Sequence, residues 1–206
     1  MSAALASPDP PLASRLLLSG DPLAGRRAVK VGPGDWHVAA EEEAVIVTVL
    51  GSCISACMRD PVARVGGLNH FMLPVGVEGG WGKAAASLRY GNFAMERLVN
   101  ELMARGARRD RMEVKLFGGA RVGSATDSVG QRNIEFADAY LAAEGMRPLV
   151  RDVGGTRARS IVYQPVSGRA FMRLLPEATA EVAGVEGRLR RHLATRPVAG
   201  SIEIFE

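Results

Sequence analysis

The sequence predicts an α/β (α+β) fold, a layered single domain in which a mixed, largely antiparallel β-sheet is flanked by helices. Three observations favour this class. The chain has 206 residues, a length typical of one domain. Its 24 glycines and 11 prolines exceed the ordinary share of about 12%, as expected of a protein with many turns and short strands. Strand-like segments come first along the chain, and helix-like and strand-like segments then alternate.

The first predicted elements are strands. Apolar and β-branched residues over 44–50 indicate a buried strand. Two more strands are predicted at 53–59 and 64–73, where they form a hairpin. The preceding segment 31–37 contains two glycines and a proline and is expected to form turns.

Two helices are predicted further along the chain from apolar residues at helical spacing. Asn92 is a suitable N-cap for the first helix, which is expected to end at Gly106. The second helix is expected to begin near Gln131 and to end at Gly145. Strands are predicted around these helices at 112–117, 149–153, 160–164 and 169–174, the last two as a hairpin.

The two ends of the chain differ in composition from the part between them. Residues 1–28 are rich in alanine, serine, proline and glycine and are predicted to be a disordered or loosely attached leader. Residues 29–176 carry the strand and helix patterns and are predicted to form the domain. Residues 177–206 are predicted to be a C-terminal extension that begins with a charged, partly helical stretch.

Charge and composition exclude several classes of function. The net charge is +4, but no block of basic residues is longer than two and aromatic residues make up only 5%, so no nucleic-acid partner is expected. No apolar run reaches the ~18 residues that a membrane helix needs, so no membrane insertion is expected. Two cysteines without a secretion signal indicate a cytoplasmic location. The cysteines and three histidines do not fall at metal-ligand spacings, so neither a metal nor a cofactor is expected.

The predicted hairpin suggests a reactive pair of side chains. If the chain turns at Pro61 and Val62, Asp60 lies opposite Ala63, and the same register places Cys53 opposite His70. Directly opposed side chains have Cβ atoms about 4.5–5.5 Å apart. A histidine at that distance lowers the pKa of a thiol, and the resulting thiolate is a nucleophile.

The backbone next to Cys53 also favours catalysis. Gly51 and Ser52 offer N–H groups that would stabilise an oxyanion at an attacked carbonyl. Cys57 lies about 13 Å further along the strand, too far for a disulfide with Cys53, and is interpreted as a structural thiol. The alternative for Cys53 and His70 is that both are ordinary core residues.

Several motifs resemble one protein family. The most specific are TVLGSC at 48–53, CMRDP at 57–61 and GGLNHFMLP at 66–74, followed by RYGN at 89–92, FGGA at 117–120, GQRN at 130–133 and DVGG at 152–155. These segments resemble CheD, the chemoreceptor glutamine deamidase family, over about residues 31–174. The resemblance implies a domain similar to the catalytic domains of glutamine-deamidating toxins. It implies that Cys53 is the nucleophile, His70 the general base and Thr48 the residue that orients the imidazole, with a backbone carbonyl as the alternative partner.

The same resemblance implies an activity and partners. The activity is hydrolytic deamidation of glutamine side chains in methyl-accepting chemotaxis receptors through a thioester, that is, a cysteine-dependent protein-glutamine glutaminase. Hydrolysis of receptor methyl esters could run at the same site. The implied partners are the receptor cytoplasmic domains and a CheC-type phosphatase. The alternatives are a non-enzymatic chemotaxis adaptor that binds the same partners and a papain-like cysteine protease.

Overall fold

The computed structural model describes residues 28–73, 81–122 and 129–175, together with residues 23, 26, 184 and 186–188. Most of the predicted leader, 1–28, and of the predicted extension, 177–206, therefore lies outside the described residues. The strands are β1 (Ala28–Lys30), β2 (Trp36–Ala39), β3 (Val45–Leu50), β4 (Ile54–Asp60), β5 (Val65–Asn69), β6 (Glu113–Gly118), β7 (Pro148–Val153), β8 (Arg159–Tyr163) and β9 (Ala170–Leu174). The helices are α1 (Trp81–Ala104) and α2 (Val129–Ala143), and a 3-10 turn spans Arg109–Arg111.

The described strands form two mixed sheets, where the sequence predicted one. The first has the order β1-β3-β8-β9 and the second the order β2-β5-β4-β6-β7. β1 pairs with β3, and β6 with β7, in parallel; the other pairs are antiparallel. The predicted mixed, largely antiparallel α+β class is confirmed. Neither α1 nor α2 is long and apolar enough to cross a bilayer.

Side chains of β4 show how three layers are formed. Ile54, Ala56 and Met58 pack in the cluster that contains residues of α1 and α2. Cys53 and Cys57 pack on the other face, in a cluster with side chains of the four-stranded sheet. Because side chains alternate along a strand, β4 has one face towards the helices and one towards the other sheet. The five-stranded sheet is therefore the middle layer, and β4 is buried on both faces.

The segment before β3 was predicted to form turns, and it does so only in part. A turn at Gly32–Asp35 is closed by a hydrogen bond from the Asp35 N–H to the Gly32 carbonyl. Residues 36–39 are instead strand β2, which pairs with β5 from Trp36↔Asn69 to Ala39↔Gly66. The pairing partner is more than 25 residues away, so the local pattern gave no sign of it.

The predicted start of the first helix at Asn92 is wrong, because α1 begins at Trp81 and Asn92 lies inside it. The glycine that precedes Asn92 is a packing position. A Cβ on Gly91 would lie 2.5 Å from Phe136 Cζ of α2 and 2.7 Å from a methyl carbon of Leu73. Gly91 therefore allows α1 and α2 to approach closely, although the sequence pattern suggested that it precedes the helix.

The hairpin of β4 and β5 forms with a different register from the predicted one. Asp60 faces Val65, where Ala63 was expected, because the turn contains four residues. The Asp60 carboxylate accepts hydrogen bonds from the N–H groups of Val62 and Ala63, and Arg64 adopts φ 55°. This side-chain-stabilised turn is longer than a two-residue turn, so every residue of β5 is displaced by two positions.

The remaining predicted elements are confirmed with small changes at their ends. β3 corresponds to 44–50, β6 to 112–117, β7 to 149–153 and α2 to the helix predicted from Gln131. The last hairpin is formed by β8 and β9, paired from Arg159↔Leu174 to Tyr163↔Ala170.

Candidate active site

The three predicted site residues converge on the layer between the two sheets. In β3, Ile46 and Leu50 pack in the cluster between the sheets. Thr48 lies two residues from each of them and therefore faces the same layer. Cys53, which immediately precedes β4, belongs to the same cluster. His70 follows β5, and its side chain is hydrogen-bonded to Thr48.

The predicted direct opposition of Cys53 and His70 is wrong, but the structure keeps both on one face. An isolated bridge pairs Ile54 with Phe71, so the position opposite Cys53 belongs to Met72. His70 lies two residues before Met72, and residues two apart in a strand share a face. A displacement by one residue would have separated the two side chains, whereas a displacement by two leaves them on the same side.

The backbone of His70 is held by the turn that precedes β2. The N–H of His70 donates to the Asp35 carbonyl at 2.9 Å, and the N–H of Gly34 donates to the His70 carbonyl at 2.7 Å. Gly34 has φ 92°, a conformation that favours glycine. The turn therefore fixes the point at which the chain leaves β5 and directs the imidazole towards β3.

Thr48 determines which nitrogen of His70 carries a proton. Thr48 Oγ1 donates to the Val31 carbonyl at 2.9 Å and lies 2.8 Å from His70 Nδ1. A hydroxyl has a single proton. Because Thr48 donates that proton to the Val31 carbonyl, Thr48 Oγ1 accepts a hydrogen bond from the Nδ1–H group of His70. The lone pair of the neutral ring is then on Nε2, which has no hydrogen-bond partner among the described residues. Nε2 is the nitrogen available to act as a base.

His70 is neutral at physiological pH. Burial lowers the pKa of His70 to about 4, because an apolar environment disfavours the imidazolium. The nearby Glu186 carboxylate acts in the opposite direction and raises the pKa, without overcoming the effect of burial. A neutral imidazole with a lone pair on Nε2 is the form that a general base requires.

The loop Gly51–Cys53 is an anion-binding site. The carboxylate of Glu186 accepts from the N–H of Gly51 at 2.9 Å, of Ser52 at 3.1 Å and of Cys53 at 3.2 Å, and from Ser52 Oγ at 2.7 Å. Three consecutive N–H groups that point to one anion make the geometry of an oxyanion hole.

Contacts from the other side of the loop explain why its N–H groups point outward. Asn133 Nδ2 in α2 donates to the Ser52 carbonyl at 2.7 Å. The N–H groups of Gly119 and Ala120 donate to the carbonyls of Cys53 and Gly51, at 2.7 and 2.8 Å. With all three carbonyls fixed on that side, the N–H groups face the opposite side, where Glu186 lies.

Three residues near the site were missed by sequence reasoning: Tyr90, Asn133 and Glu186. Tyr90 and Asn133 lie in the motifs RYGN and GQRN, which supplied a signal without a role. Burial raises the pKa of Tyr90, and negative charge on Cys53 and Asp35 raises it further, so the phenol lies near Cys53. Glu186 lies in the predicted C-terminal extension, and no motif singled it out.

Cys57 has the environment of a structural thiol. It is buried in β4 opposite Leu68, and burial raises the pKa of Cys57 to about 12. A thiol with such a pKa is almost entirely protonated at neutral pH and is a poor nucleophile. Within the described residues, no three side chains of histidine, cysteine, aspartate or glutamate are grouped so that they could hold a metal ion.

A cysteine, a histidine oriented by a threonine and a backbone oxyanion hole are the components used by cysteine-dependent acyl-transfer enzymes. Comparison with known proteins defines the family. The model of the family described as CheD chemotactic sensory transduction matches residues 72–174. The chain belongs to the CheD family.

Similar proteins match over nearly the whole chain. A probable chemoreceptor glutamine deamidase CheD of Rhodopseudomonas palustris is 44% identical, covering 90% of this chain and 87% of its own. A protein with the same description from Hydrogenovibrio crunogenus is 46% identical, covering 91% of this chain and 98% of its own. Another from Halorhodospira halophila is 45% identical, covering 86% of this chain and 84% of its own.

Two solved structures are also similar over part of the chain. Neisseria meningitidis protein NMB0706, of family DUF152, has a TM-score of 0.41 and 11% identity, covering 68% of this chain and 76% of its own. Bacillus licheniformis hypothetical protein YfiH has a TM-score of 0.33 and 12% identity, covering 62% of this chain and 59% of its own.

Proposed function

We propose that this protein is a chemoreceptor glutamine deamidase, a protein-glutamine glutaminase in which Cys53 is the nucleophile. The observation that carries the proposal is the set of three N–H groups at Gly51–Cys53, which hold a carboxylate beside the nucleophile. A carboxylate is what deamidation of glutamine produces. The descriptions of relatives at 44–46% identity supply the substrate, the glutamine side chains of chemoreceptors.

The reaction begins with proton transfer. His70 Nε2 takes the proton of the Cys53 thiol, and the thiolate attacks the carbonyl carbon of the substrate amide. The C=O bond becomes a C–O⁻ single bond, and the N–H groups of Gly51–Cys53 stabilise the negative oxygen. When this intermediate collapses, the C–N bond breaks and the imidazolium protonates the leaving nitrogen, which departs as ammonia.

Hydrolysis of the thioester completes the cycle. His70 Nε2 takes a proton from water, and the hydroxide attacks the thioester carbon. The C–S bond breaks, the thiolate recovers the proton from the imidazolium, and a glutamate side chain is released. A receptor methyl ester presents the same carbonyl group, so the same steps would release methanol.

The partners follow from the substrate. Chemoreceptor cytoplasmic domains are the proposed macromolecular partners, and the protein is then located in the cytoplasm. A CheC-type phosphatase is proposed as a second partner on the strength of the family resemblance.

The first prediction tests the nucleophile with the two cysteines of the chain. Cys53→Ala should abolish ammonia release from a purified receptor cytoplasmic fragment, because no thiolate remains to attack the amide. Cys57→Ala, a matched control that likewise removes one sulfur atom, should retain ammonia release. Ammonia assays and mass spectrometry of the fragment measure both. Full activity in Cys53→Ala would overturn the proposal.

The burial of Cys53 favours a competing function, a non-enzymatic adaptor that binds receptors. If this protein is an adaptor, the wild type binds the receptor fragment but releases no ammonia from it. A papain-like protease would cleave the fragment, whereas a deamidase leaves its backbone intact. Intact-mass measurement of the fragment after incubation therefore separates the three functions.

A further inference from the structure

Glu186 makes the contacts that the product of the proposed reaction would make. Its side chain is a glutamate carboxylate, the group that deamidation of glutamine leaves. Each carboxylate oxygen accepts two hydrogen bonds: Oε1 from the N–H groups of Gly51 and Cys53, and Oε2 from the N–H and Oγ of Ser52. A Cβ added to Gly51 would lie 2.9 Å from Glu186 Cδ, so the carboxylate lies directly against the loop backbone.

With Glu186 in this position the site is closed. The exposed fraction of Cys53 is 0%, that of His70 is 2% and that of Glu186 is 4%. A receptor side chain enters from solvent, so it cannot reach a nucleophile without exposed surface. The N–H groups that would bind its amide oxygen already hold another acceptor. Departure of Glu186 would free the N–H groups of Gly51, Ser52 and Cys53 from their present acceptor.

The contacts of Glu186 suit a displaceable ligand. Its carboxylate is buried, yet among the described residues no lysine or arginine forms an ion pair with it. His70, whose pKa it influences, is neutral. Hydrogen bonds from the loop therefore hold the charge and must offset the cost of its desolvation. Removing a neutral substrate amide from water costs less free energy than removing a charged carboxylate.

We propose that Glu186 is an intramolecular product mimic that occupies the subsite for the substrate carboxamide and competes with receptor glutamine. This inference rests on the proposed function and adds to it an autoinhibitory contact made by Glu186. The subsite consists of the N–H groups of Gly51, Ser52 and Cys53 with the hydroxyl of Ser52. The ligand class is a side-chain carboxamide before the reaction and a side-chain carboxylate after it.

The test is the variant Glu186→Ala, with Glu135→Ala as the matched control because Glu135 is an exposed acid on α2. If Glu186 is docked in nine molecules of ten, its removal lowers the apparent KM for a receptor fragment about tenfold and leaves kcat unchanged. The rate of Cys53 alkylation by iodoacetamide should rise by a similar factor. Glu135→Ala should change neither quantity.

A purely structural role for Glu186 gives different results. Glu186→Ala would then leave the alkylation rate and KM unchanged or would lower kcat, and any of these outcomes overturns the inference. Glu186→Asp guards against loss of folding, since its shorter side chain keeps the charge but cannot reach all four donors. It should raise the alkylation rate by an intermediate factor, and an unchanged rate again overturns the inference.

The two proposals fail separately. Alkylation is measured without substrate, so it reports on the docking of Glu186 whether or not the enzyme deamidates receptors. Ammonia release by the wild type, with its loss in Cys53→Ala, tests the proposed function alone. A wild type that releases ammonia and a Glu186→Ala variant that behaves like it would overturn the inference and leave the function intact.

Discussion

The hydroxyl of Thr48 links two groups that would otherwise be independent, the Val31 carbonyl and the imidazole of His70. Without it, Nδ1 and Nε2 of the buried ring would compete for the single proton of the neutral form. The proposed base needs that proton on Nδ1, so the role proposed for Thr48 is to position the histidine.

Thr48→Val replaces the hydroxyl with a methyl group of similar size. We expect kcat for ammonia release to fall by about 10–100-fold, as when a hydrogen-bonding partner behind a functional histidine is lost. KM should change little, because Thr48 does not contact the substrate.

Thr48→Ser is the matched control, since it restores the hydroxyl and should recover most of the activity. Steady-state kinetics on a receptor fragment measure all three proteins. A Thr48→Val enzyme with wild-type kcat would show that the threonine does not position His70.

At the scale of elements, Asp60 fixes the register of the hairpin that carries the site. Its fully buried carboxylate accepts from the N–H groups of Val62, Ala63 and Arg108 and from the guanidinium of Arg111. Burial by itself would raise the pKa of Asp60, but Arg111 and the three N–H groups hold it well below its usual range. The resulting stabilisation is present above about pH 4 and is lost as the pH falls towards the depressed value.

Asp60→Asn tests this contribution at neutral pH. We expect a loss of about 3 kcal/mol in the free energy of unfolding, because Arg111 loses a charged partner with no exposed surface. Asp138→Asn removes the partner of Arg151 from a half-exposed pair and should cost less than about 1 kcal/mol. Urea denaturation measures both variants, and equal losses would contradict the special role of Asp60.

At the scale of the whole molecule, Arg159 connects the two sheets. It lies at the start of β8 in the four-stranded sheet and is buried. Its guanidinium donates to Asp152 Oδ1 in β7 at 2.7 Å, to the Gly118 carbonyl at the end of β6 at 3.3 Å and to the Gly154 carbonyl at 2.8 Å. Gly118 pairs with Ile54, the residue after Cys53, so this connection supports the strand that carries the proposed nucleophile.

Arg159→Met keeps much of the side-chain volume and removes every donor. We expect a loss of about 2 kcal/mol in the free energy of unfolding, because buried acceptors lose a charged donor. Arg157→Met is the control: Arg157 is exposed and, among the described residues, donates to the carbonyls of Leu174 and Leu175 alone, so its loss should cost about 0.5 kcal/mol or less. The midpoint of thermal unfolding should fall further in Arg159→Met than in Arg157→Met. The reverse order would show that Arg159 does not hold the sheets together.

Several elements could be predicted from sequence because their signals are local. β3 is an apolar run that ends before Gly51, β6 alternates polar and apolar residues and ends at Gly118, and α2 ends two residues before Gly145, whose φ is 68°. The start of α1 could not be predicted, because the packing of Gly91 against Phe136 depends on a segment 45 residues away in the chain. The division of the strands between two sheets is likewise a matter of non-local pairing.

The sequence by itself determined the α+β class and the family and was sufficient to predict Cys53, His70 and Thr48 as site residues, because composition, motifs and side-chain alternation are properties of the chain. Tertiary structure contributed to the register around Asp60, since Arg108 and Arg111 of a distant turn bind the carboxylate that also accepts from the local turn. It also decided what fills the loop Gly51–Cys53. Backbone N–H groups are the same in every residue, so only the folded chain determines that three of them point to one spot and that Glu186, 135 residues from Gly51, lies there.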